Sequence, residues 1–105
     1  TEEARREAAR LEERVRALEL RPSDYVRRSM KFTPYPTEDV RWIIEQAGPE
    51  TVLFNSDYPH VEGGRRPIER FERSLGDLPE SVRQAFYCDN FLDLMGAGAR
   101  RLVRA

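Results

Sequence analysis

Cysteine, histidine and lysine each occur once in these 105 residues, as Cys88, His60 and Lys31, and each scarcity excludes a class of function. A single thiol allows no intrachain disulfide and no cysteine-built metal site, which suits a reducing compartment. A single histidine cannot complete a multi-histidine ion cage. Long apolar runs are missing too. Nothing approaches the roughly 20 residues that span a bilayer, and no charged-then-apolar leader precedes a small-residue cleavage site. The expectation is a cytoplasmic chain with no membrane partner. Charge of one sign is also lacking, since 18 basic and 19 acidic residues leave a net -1. That balance argues against a dominant nucleic-acid surface. The chain opens at Thr1 directly in a helical pattern, as a piece of a longer protein would.

Charged residues and short apolar stripes make up most of the rest. Ala4, Ala8, Leu11, Val15 and Leu18 recur at spacings of four and three among glutamates and arginines. This predicts an amphipathic helix from Glu2 to about Leu20 that covers a larger body, a coiled-coil arm being the alternative. Glu2 with Arg6 and Glu12 with Arg16 have the acid-first i,i+4 geometry that supports a helix. Pro22-Ser23-Asp24 reads as its stop. Tyr25 to Phe32 alternates in part, with Val26, Met30 and Phe32 as the inward set, and predicts a strand.

Thr33-Pro34-Tyr35-Pro36 continues neither element, because neither proline has an amide proton. Thr37 is a suitable N-cap for a helix carrying Glu38 and Asp39 in its first turn. Val40, Ile43, Ile44 and Ala47 form its buried stripe, and Gly48-Pro49 ends it. Thr51 to Phe54 then reads as a second strand, parallel to the first through a right-handed crossover. Beyond Gly63-Gly64, Pro67 starts a helix with Ile68, Phe71 and Leu75 inward, and Leu78-Pro79-Glu80 starts another through Val82, Ala85 and Phe86. Asp89-Asn90 suits a cap for a last helix through Phe91, Leu92, Leu94 and Met95 to Gly96. Trp42 is placed at a helix interface, Tyr87 and Cys88 in the packing, and Arg100-Arg101 with Arg104 in a frayable tail.

The most informative run is Val52-Leu53-Phe54-Asn55-Ser56-Asp57-Tyr58-Pro59-His60, followed by Glu62-Gly63-Gly64. An apolar strand delivers an aspartate, a proline turn and the only histidine to one loop, the place where parallel α/β folds keep their chemistry. A lone aspartate after a strand is, on residue type alone, more often a turn or cap residue than a metal ligand. A lone histidine is likewise more often a loop residue.

Leu53 to His60, then Glu62-Gly63, then Cys88-Asp89-Asn90-Phe91, resembles in order the carboxyl-terminal portion of the amidohydrolase-related (amidohydrolase family 2) enzymes. These are metal-dependent hydrolases and decarboxylases on a (β/α)8 barrel. The resemblance extends from about Tyr25 to Gly96. It implies an α/β fold, with residues 25–96 as the last two βα units and terminal helices of a TIM-type barrel. Residues 1–21 would be an added amphipathic helix and 97–105 a tail. It also implies a divalent metal, zinc, in the complete enzyme, with Asp57 as ligand or as acceptor of a proton from metal-bound water. His60 would face a carboxylate or phenolate of a small-molecule substrate, and Glu62 would shape the loop.

The family's His-x-His pair and its further histidine ligands have no counterpart here, and a barrel needs roughly 250 residues. The expectation is therefore a chain that holds no cofactor and performs no turnover alone. Exposed strand edges and uncovered helix faces predict self-association. Two alternatives stay open: a non-catalytic helical interaction module derived from such an enzyme, with the first helix as its binding element, and half of a split enzyme.

Overall fold

The computed structural model describes residues 1–104, and its regular elements are all helices, with no β-strand among the described residues. This overturns the expected fragment of an α/β barrel. Helices α1 (Glu2–Arg16), α2 (Pro22–Ser29), α3 (Val40–Ala47), α4 (Pro67–Leu75), α5 (Glu80–Gln84), α6 (Asn90–Met95) and α7 (Ala97–Arg104) follow in order. Ala85–Asp89 joins α5 to α6 as a wider π-type turn, and α7 takes in the arginines expected to lie in a frayed tail.

The first expected strand lies mostly in α2, which takes its Tyr25 to Ser29. Pro22 occupies its first turn, where a missing amide proton costs nothing, and Asp24 lies beside it at the positive end of the dipole. The residues taken as a stop are thus a start. The Arg28 guanidinium lies 4.9 Å from the Tyr25 ring centre, an i,i+3 contact that helical spacing creates, and Arg27 ties α2 to α3 by bonding the Ala47 carbonyl at 3.1 Å. Of the presumed inward set only Val26 is half-buried; Met30 and Phe32 are exposed.

The two supposed strands meet in one isolated parallel bridge, Phe32 with Val52. Phe32 N donates to Thr51 O at 2.7 Å and Leu53 N to Phe32 O at 2.9 Å, and the ladder stops there. On one side Pro34 and Pro36 remove the donors that would extend it. On the other, Phe54 N turns to a helix and donates to Phe86 O at 2.9 Å.

The core gathers Val40 and Ile44 of α3, Val52, Phe71 and Leu75 of α4, and Phe86, with Ile43, Phe54, Leu78, Val82 and Tyr87 packed around them. Four aromatic rings meet largely edge to face: Phe71 and Phe86 at 5.1 Å, Phe54 and Phe71 at 5.7 Å, Phe86 and Tyr87 at 5.0 Å. Asp39, rather than Thr37, caps α3 by accepting from Trp42 N at 3.0 Å. Ser74 of α4 adds a second cap, accepting from Val40 N at 2.7 Å. Trp42 points outward, 59% exposed. Arg41 donates to Glu45 and to Asp77 beyond α4, and that guanidinium holds the exposed Asp77 carboxyl below its usual range. Arg83 similarly ties α5 to Glu72 of α4 and to the Gly76 carbonyl.

No residue of α1 is buried. The helix stands on Thr1, whose hydroxyl accepts from Ala4 N, and on the Glu2–Arg6 and Glu12–Arg16 pairs at 3.4 and 3.6 Å. It ends at Arg16 rather than Leu20, and it covers no body among the described residues.

Candidate functional site

The Asp57 loop is built outward from the buried segment before it. Thr51, Val52 and Leu53 are almost wholly removed from solvent. Their backbone polar groups therefore need partners inside the fold. Asn90 supplies two bonds, its amide donating to Val52 O and to Pro49 O, each at 2.7 Å. Asn90 is thus a buried clamp and not the expected helix cap, and Asp89 makes no capping bond either. The Thr51 hydroxyl donates to Gly48 O at 2.8 Å.

Past Phe54 the chain reverses through two side-chain turns in series. Asn55 Oδ1 accepts from Asp57 N at 3.1 Å, and Ser56 Oγ accepts from Tyr58 N at 3.2 Å. Asp57 lies in the left-handed region at φ 57°, which aspartate tolerates better than most residues. Tyr58–Pro59 is cis. His60 N then closes the loop on Asp57 O at 2.8 Å. A 3-10 turn, Val61–Gly63, follows, with Gly63 N bonded to His60 O at 3.2 Å.

Gly63 is where the loop folds onto itself. A Cβ at this position would lie 2.2 Å from Ser56 O and 3.2 Å from Asp57 Cβ, so only hydrogen fits. Of the two sequence-expected residues, Asp57 is half-buried and His60 exposed. Among the described residues no donor is bonded to the Asp57 carboxylate. The two residues share the loop through backbone, and no bond joins their side chains. Glu62 is exposed and makes no bond within the loop; Asn55, Ser56 and Gly63 do the shaping assigned to it. The succession of Asn, Ser and Asp is a turn signal in its own right and would have pointed to them.

Tyr58 and Val61 present their side chains to solvent, 87% and 88% exposed. The loop ends at Gly64, which opens a cleft of about 480 Å³ lined by Arg65, Arg66, Glu69, Arg70 and Arg73. Arg66 pairs with Glu69 at 3.3 Å. The other three arginines have no carboxylate within 4.0 Å among the described residues, leaving the cleft with a positive lining.

No three histidine, cysteine, aspartate or glutamate side chains converge to hold an ion among the described residues. The donors present therefore do not make a metal centre by themselves; Asp57 can be at most one of its ligands. No helix among them is long and apolar enough to cross a membrane. Compared with known proteins, the chain matches no family model, no curated protein and no solved structure.

Proposed function

We propose that the Asp57 loop is one wall of a divalent-metal hydrolase or decarboxylase site for a small carboxylate-bearing substrate. The histidines come from polypeptide outside these 105 residues. The observation that carries this reading is the loop itself. A half-buried carboxylate without a bonded partner among the described residues sits at the end of a buried segment, on a backbone fixed by bonds from Asn55, Ser56 and His60. A turn residue that merely capped its own loop would direct its carboxylate to a nearby amide. The sequence resemblance from Leu53 to His60 supports the same role, and zinc is the ion it favours. A carboxylate can ligate such a cation or take up a proton beside it. The arginine-lined cleft past Gly64 supplies charge of the right sign for a substrate carboxylate.

The test has two steps. The coding sequence before Thr1, and neighbouring genes, are read for a His-x-His polypeptide, and the two parts are assembled. In that assembly Asp57→Asn should lower turnover by about 100-fold or more while the protein stays folded. Full activity of the assembly carrying Asp57→Asn would sink the proposal.

A second reading, a non-catalytic interaction module, is favoured by one observation: the apolar stripe of α1 lies uncovered. Deleting residues 1–20 should then abolish partner binding while the remainder stays folded and soluble.

A further inference from the structure

The uncovered face of α1 has no role in the Asp57 loop. Every residue from Thr1 to Leu20 is exposed, with Leu11 at 50% and Val15 at 53%. The chain presents 8387 Å² to solvent. A compact chain of 12.3 kDa presents about 6,100 Å². The difference, about 2,300 Å² per chain, is surface that a compact fold of this size would have buried. The radius of gyration, 18.1 Å, likewise exceeds the roughly 13 Å of a compact chain of this length.

We propose that α1 is the surface on which two copies of this chain pair, and that the two helices run antiparallel. The seam residues Ala4, Ala8, Leu11 and Val15, all within α1, follow the alternating four-and-three spacing of a heptad. Their sizes decide the direction. In a parallel pair, alanine would meet alanine at one end while leucine and valine met themselves at the other, so the helices could not keep one separation. Reversal sets Ala4 against Val15 and Ala8 against Leu11. Each layer then holds one small and one large side chain, and the axes stay evenly spaced.

Charge agrees with size. Arg5 and Glu12 flank one side of the seam, and Glu7 and Arg14 the other. Reversal brings the Arg5–Glu7 end of each helix alongside the Glu12–Arg14 end of the other, base beside acid on both flanks. A parallel pair would set Glu7 against Glu12. The pairing stands whether or not Asp57 serves an enzyme.

Sedimentation equilibrium of the full chain, from micromolar to submillimolar concentration, should give a monomer–dimer equilibrium. Leu11→Glu with Val15→Glu, at positions already exposed in the single chain, should weaken it about 100-fold or more with the α-helical spectrum of the body retained. Direction is read by oxidation in a Cys88→Ser background. A mixture of Ala4→Cys and Val15→Cys chains should cross-link, and neither variant should cross-link alone. A monomer at every concentration would overturn the proposal, whether α1 folds onto its own body or serves a different protein. So would a dimer indifferent to the double glutamate variant, or self-cross-linking of Ala4→Cys.

Discussion

Gly63 shows how a single missing Cβ sets the position of a candidate catalytic group. With Ser56 O only 2.2 Å from where that carbon would lie, Gly63→Ala must push the 3-10 turn off the Asp57 loop. The expected cost is about 2 kcal/mol in urea unfolding, with amide shifts concentrated between Asn55 and Gly64. A variant as stable as the parent, with unmoved amides, would show that the loop does not depend on this contact. Asp57 and His60 were legible as residues of one loop after a buried segment, because type and order mark that turn. The buried clamp was not: an asparagine after an aspartate reads as a cap, and only the folded chain shows its amide 38 residues away on Val52 O.

Tyr87 is the converse case, a polar atom in an apolar place. Its hydroxyl is buried without a hydrogen-bond partner among the described residues. Burial, with the nearby Glu72 carboxylate, pushes its pKa well above the ordinary tyrosine value. Removing an unsatisfied hydroxyl from a packed ring should help, so Tyr87→Phe is expected to add about 1 kcal/mol at neutral pH. The folded parent favours the protonated phenol, and the stability this preference supplies is complete below the unfolded tyrosine value near 10 and declines as pH rises beyond it. Alkaline unfolding followed by circular dichroism should therefore be less steep in Tyr87→Phe than in the parent.

At the scale of elements, the helices with long apolar stripes were legible and the strands were not. Val40, Ile44, Phe71 and Leu75 are core residues in the structure as in the pattern, because 3.6-residue periodicity survives any tertiary context. The partial alternation of Tyr25 to Phe32 competed with a proline and an aspartate placed as helix starters, and the helix won. Thr51 to Phe54 is as buried as a strand, yet its backbone partners are Phe32, Asn90 and Phe86, two of them on the helical end of the chain. Burial alone could not tell these arrangements apart. The junction of α3 and α4 illustrates a bond invisible to local pattern. Ser74 reaches from α4 to the first amide of α3, so Ser74→Ala should cost about 1 kcal/mol by denaturant unfolding, as the loss of an N-cap does. No change would mean that Asp39 caps α3 sufficiently alone.

At the scale of the whole molecule, stability and association are carried by different parts. The body from Pro22 onward holds every buried residue, while α1 contributes none. An isolated helix of 15 residues is marginal in water, even with a cap and two ion pairs. Its helicity must therefore rise when a second surface covers its stripe. Deleting residues 1–20 should leave the unfolding free energy of the body within about 0.5 kcal/mol at concentrations where the parent is monomeric, as for changes away from buried contacts. At concentrations where copies pair, the parent alone should gain helical ellipticity and a higher midpoint, since association stabilises by mass action. A deletion that unfolded the dilute body would mean that α1 packs on it after all. Equal midpoints at high concentration would mean that the exposed stripe has no partner in its own kind.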